Sequence, residues 1–203
     1  MTSVAVGAAS VDLYWIPLGA GSHVVRFSGR AYEALAAASG RRARCDLYHT
    51  ALVARLGDDD YTIELAPSPD DGEARRGVVA TGAVGSRRLN RLRLFRYEVR
   101  CWRNGCIPDL DEAVGEPCRL TSDPLVTRRL IELVRTVPTP VWGRDALHAG
   151  EGWNSNSVTA WLITVAGLSA HVDLPARGRA PGWDAGVEVG RRTPIVLSGL
   201  SPR

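Results

Sequence analysis

The sequence predicts an α+β domain in which an antiparallel sheet packs against one core helix capped at its N-terminus. Three stretches carry this reading. Gly150 to Leu168 (GEGWNSNSVTAWLITVAGL) runs from a loose polar loop into apolar positions at Val158, Trp161, Leu162, Val165 and Leu168, the spacing of a buried helical stripe. Asp46 to Leu56 and Tyr61 to Ala66, joined by Gly57-Asp-Asp-Asp60, read as a β-hairpin. Asn90 to Trp102 alternates apolar and polar residues like a strand.

The chain has 203 residues, which fits a single domain spanning 1–203, and 45% of them are hydrophobic, enough for a sizeable core. The net charge of +3 is too small to imply a polyanionic partner. All 25 basic residues are arginine, to which no function attaches. No segment approaches the roughly 20 apolar residues of a membrane span. The first residues lack the pattern of a signal peptide. The four cysteines, Cys45, Cys101, Cys106 and Cys118, form no CxxC pair. A reduced cytoplasmic location without membrane contact is expected, with buried free thiols rather than a Cys101–Cys106 bridge.

In chain order, Asp12 to Leu18 reads as a first strand and Gly19 to Ser22 as a turn. Ser28 to Ser39 reads as a helix stopped by Gly40. In the hairpin, Leu47, His49, Ala51, Val53 and Arg55 share one strand face; a tight turn would set Val53 opposite Glu64, and so Glu64 on the face of His49. Ser68 to Gly85, extending to about residue 88, has no periodicity and reads as a long surface loop that could cross a groove. In Asn90 to Trp102 the phase shifts after Phe95, as a bulge would do. Its arginines have two readings, a solvated sheet face or a phosphate contact; Glu98 interrupts the row, so nucleic acid is not the expected partner. Asn104-Gly105 is a turn. Asp123 and Pro124 open a helix to about Arg135 with Leu125, Leu130, Leu133 and Val134 inward. After Leu168 an irregular tail is expected over about 169–203, apart from a short last strand at Pro194 to Leu197.

The core helix begins at Asn154, Ser155, Asn156 and Ser157, all good N-terminal caps. A well-capped core helix needs one such residue; four in a row also suit a site, because a helix N-terminus offers free N–H groups and partial positive charge. Gly167 stands where a left-handed C-cap would take glycine. Of His23, His49, His148 and His171, only His49 falls inside a clear strand. It reads either as a satisfied core histidine or as a general base with Glu64 as its orienter and Ser155 as nucleophile. His148 and Glu151 are three residues apart in a glycine-rich loop with no third ligand, so no metal and no cofactor are expected.

The order strand, helix, hairpin beginning Asp-Leu-Tyr-His49, long loop, helix, then Trp-Asn-Ser155-Asn-Ser-Val-Thr-Ala-Trp-Leu resembles the circularly permuted papain-like families, relatives of the NlpC-type peptidases and of lecithin–retinol acyltransferase. It is also similar to a set of uncharacterised actinobacterial proteins with a WNSNSV segment and an APGWxAG tail, here Ala180 to Gly186. The resemblance covers about residues 12–168. It implies a permuted papain-like domain with His49 as base and a nucleophile at position 155. It further implies Asn154 or Asn156 near the oxyanion and a small-molecule or peptide-like substrate in a groove. Ser155 departs from it, because those families have cysteine there. A helix N-terminus can hold a thiolate but will not ionise a hydroxyl, so serine needs a well-placed base and an oxyanion hole. Two functions are therefore expected to compete: a Ser155/His49/Glu64 hydrolase of amide or ester bonds, and a non-catalytic descendant that binds in the groove.

Overall fold

The computed structural model describes residues 8–18, 45–67, 77–107, 109–176 and 178–194. Among these, six strands form one antiparallel path. They are β1 (Ala9–Pro17), β2 (Asp46–Leu56), β3 (Asp59–Pro67), β4 (Val78–Ala83), β5 (Arg96–Arg103) and β6 (Cys118–Thr121), in the order β4-β5-β3-β2-β1-β6. A two-residue strand, β7 (Gly178–Arg179), pairs parallel with the start of β2. Three helices are described, α1 (Pro124–Leu133), α2 (Ser155–Val165) and α3 (Trp183–Arg192). The fold is thus mixed α+β, built on a mainly antiparallel sheet.

Period-two alternation gives the sheet two unlike faces. Val11, Leu13, Trp15, Leu52, Ile63, Leu65, Tyr97 and Val99 share a core with Val158, Trp161 and Leu162 of α2. Each such fully buried aliphatic side chain contributes on the order of 1.5–3 kcal/mol. The residues between them point the other way, where Ile16, Ala51 and Ile107 form a small second cluster.

The expected stripe of α2 is buried throughout, from Val158 to Leu168. The helix ends as expected at Gly167, whose φ is +77°. Leu168 N–H donates to Ile163 O and Gly167 N–H to Thr164 O, the paired bonds of a Schellman cap. Asp123 caps α1 by accepting from the N–H groups of Leu125 and Val126. Leu130 and Val134 of that segment are fully buried, but Leu125 points to solvent, 140° around the helix from Leu130.

Several expectations need correction. The hairpin turn is shorter than expected: Leu56 pairs with Asp59, so Val53 faces Thr62, not Glu64. The shift is two residues, and Glu64 keeps the face of His49. Within the predicted 68–88 loop, Val78–Ala83 is an edge strand on β5. Its small residues hide the strand signal and also make the pairing fit, since a Cβ at Gly82 would lie 2.2 Å from the Tyr97 ring. The predicted strand Asn90 to Trp102 starts only at Arg96. Residues 87–91 and 93–95 are short 3₁₀ turns, and Leu92 and Leu94 are exposed. The tail holds an unexpected helix, α3. Gly186 and Gly190 weaken its helical signal yet permit its close packing: a Cβ at Gly186 would lie 2.2 Å from Ser157 O, and one at Gly190 2.8 Å from the Thr164 Cβ. The predicted turn at 19–22, the helix at 28–39 and residues 195–197 of the last strand lie outside the described residues.

Candidate functional site

The start of α2 is occupied by structural hydrogen bonds. Asn154 Oδ1 accepts from the N–H groups of Asn156 and Ser157, and Ser157 Oγ accepts from Asn154 N–H, a reciprocal capping box. The same side chains hold the Ala180-Pro181-Gly182 turn. Asn154 Nδ2 donates to Pro181 O at 2.8 Å, Asn156 Nδ2 donates to the same oxygen at 3.0 Å, and Ser157 Oγ donates to Gly182 O at 2.7 Å. Glu151 accepts from Gly182 N–H at 2.6 Å. Asn156 also ties helix to sheet, donating to Tyr48 O at 2.9 Å and accepting from Thr50 Oγ1 at 3.0 Å. The amides assigned to an oxyanion, those of Asn154 and Asn156, are therefore directed to Pro181 and β2. Ser155 is the exception in the cluster: half-buried, with no hydrogen bond from its hydroxyl among the described residues.

His49 does not join it. The Thr50 hydroxyl reaches Asn156 and the Tyr48 side chain lies in the core shared with α2, so His49 between them points through the opposite face of the sheet. There it pairs in register with Ile16, and its Nε2 lies 3.9 Å from Asp109 Oδ2. Burial lowers the His49 pKa, and the Asp109 carboxylate opposes that shift. Glu64 shares this face but is directed to Arg100, its register partner, with Nη1 to Oε1 at 3.3 Å. Arg100 also binds Glu98. Burial raises the Glu64 pKa against the pull of Arg100, and nearby Asp109 adds to the rise. Ser155 and His49, the expected nucleophile and base, thus stand on opposite sides of the sheet, and the carboxylate beside His49 is Asp109. That residue precedes a short 3₁₀ turn, Leu110–Glu112, in a stretch with no sequence periodicity, so only the fold reveals it. Among the described residues no group of three His, Cys, Asp or Glu is placed to hold a metal ion. None of the four cysteines is in a disulfide bond, and burial pushes the Cys101 thiol up to about 11.

On the helix face lies a partly open cavity of about 400 Å³, walled by Trp15 of β1 and by Trp183, Asp184 and Arg191 of α3. The two indole rings are 5.2 Å apart and tilted by 41°. Glu151 and Arg179 add a second pair of opposite charges, 3.8 Å apart. Ser155 is not part of its lining. A cavity with a flat apolar wall and a few charges of both signs suits a compact amphipathic ligand. The APGWDAG segment was the sequence signal for it, since that segment supplies Trp183 and Asp184. Comparison of the chain with protein-family models, with curated proteins and with solved structures finds no match to any of them.

Proposed function

We propose that this chain is a non-catalytic binding module, a papain-like descendant that keeps a groove beside its core helix without a working nucleophile–base pair. The observation that carries the reading is strand parity: Tyr48 and Thr50 face the helix that bears Ser155, and His49 faces away. A serine hydroxyl without a base within about 3.2 Å has no route for its proton. The ligand is a small molecule or peptide-like group with a flat apolar body and both charges, seated in the cavity beside Trp183 and between Arg179, Arg191, Glu151 and Asp184.

The test is Ser155→Cys alkylation by iodoacetamide at mildly acidic pH, with and without His49→Ala. The helix N-terminus alone depresses a thiol pKa to some extent. The expected result is that His49→Ala leaves the rate unchanged. A slowing of about tenfold or more would show an imidazole acting on position 155 and would restore the hydrolase reading.

A further inference from the structure

The connection from β4 to β5 is a basic, leucine-tipped finger at the sheet edge. Residues 86–97 read SRRLNRLRLFRY, with five arginines and no acidic residue. Residues 87–94 are all exposed, and Leu92 and Leu94 are 56% and 73% accessible. The segment is held in this shape. Ser86 Oγ accepts from Arg88 N–H, and the N–H groups of Leu89, Leu92 and Phe95 each close a turn three residues back. Val84 N–H donates to Phe95 O across its base. Arg96 turns back to donate to the carbonyls of Asn90 and Arg91. The leucines are thus fixed outward instead of collapsing onto the core. Arg87, Arg88 and Arg91 make no ion pair among the described residues.

We infer that this finger docks on an anionic lipid surface. Arginines around exposed aliphatic tips match both halves of such a surface, the negative headgroups and the acyl boundary beneath them. Single-stranded nucleic acid fits less well, because it is gripped by stacking aromatics; Phe95, the finger's aromatic before Tyr97, is half-buried, and leucines gain nothing on phosphate. A second copy fits less well too, since like fingers would oppose arginine to arginine. The contact is peripheral: no helix of the described residues is long and apolar enough to cross a membrane. Such a contact needs no membrane span.

The experiment is sedimentation of the full chain with phosphatidylcholine vesicles, with and without about 30 mole per cent phosphatidylserine. Binding is expected on the anionic vesicles and to fall with salt. Each arginine near such a surface is worth about fivefold. The triple variant Arg87→Gln, Arg88→Gln, Arg91→Gln should therefore weaken partitioning by about a hundredfold. Leu92→Ser with Leu94→Ser should weaken it as well, with near-UV circular dichroism unchanged in both variants. Equal binding to neutral and anionic vesicles, or none to either, overturns the inference. So does binding that ignores the leucine pair and is displaced by an oligonucleotide, which would assign the finger to nucleic acid.

Discussion

The two faces of the sheet use polar residues in opposite ways. On the helix face, Asn156, Ser157 and Thr50 are buried, and each has a neutral hydrogen-bond partner. On the other face the neutral Thr62 and Ser10 are buried as well, but most of the polar residues there are ionisable. Asp12 is buried against Arg119 and Arg55, Glu64 lies with Arg100 and Glu98, and His49 with Asp109. Neutral bonds fix geometry and do not respond to pH, whereas charges under partial burial do. The polar cluster on α2 is therefore a fastener, and the carboxylates of Asp12 and Glu64 and the imidazole of His49 lie on the face without the large helices. The comparison also explains why the expected triad is not brought together: Ser155 stands on the helix side of the sheet, His49 and Glu64 on the other.

The contrast breaks most severely at Gly186. A side chain there meets the Ser157 carbonyl, backbone that cannot swing aside, so α3 must leave α2. Gly186→Val is expected to cost about 3–4 kcal/mol. Urea denaturation measures it, and a loss below about 1 kcal/mol would mean that the helix pair is not closely packed. Asn156→Ala comes next. It strands the Thr50 hydroxyl and the Tyr48 carbonyl in the core, and about 2–3 kcal/mol of stability should be lost. If Asn156→Ala is nearly neutral by the same measurement, the fastener role is wrong, and the amide is free for another purpose.

Much of this arrangement was legible in the sequence, for identifiable reasons. The α2 stripe, its cap residues, the Gly167 stop and the hairpin around Gly57 are local signals with a fixed period, and each appears where the residues put it. The β4 strand and α3 were not legible, because glycine and alanine there serve close packing against Tyr97 and α2 and carry little propensity of their own. Candidate site residues were legible as types but not as neighbours. His49 and Ser155 are 106 positions apart in the chain, and which face of β2 meets α2 is decided by Asn156 reaching Tyr48 and Thr50. No count of spacings along β2 alone contains that choice.

The smallest effect sharpens the contrast through pH. His49 is mostly covered, 23% of its side chain being accessible, and burial holds its pKa below the ordinary value of 6.5. In the window between the depressed value and 6.5, the folded chain binds fewer protons than the unfolded chain. The stability contributed by neutral His49 is therefore complete above about 6.5 and falls as pH drops through that window. Glu64 works in the opposite sense: burial raises its pKa above 4.5, so its contribution is present at lower pH and is lost as pH rises through the raised value. The two contributions change with pH in opposite senses, so the wild-type curve alone will not separate them. Urea midpoints at a series of pH values for wild type and His49→Gln will, because Glu64 is common to both. The variant should lose less stability than wild type as pH falls below 6.5. Asp109→Asn should lose more, since it removes the carboxylate that offsets burial at the imidazole. If His49→Gln instead steepens the loss, the Asp109 pairing outweighs burial, and His49 is charged in the folded protein.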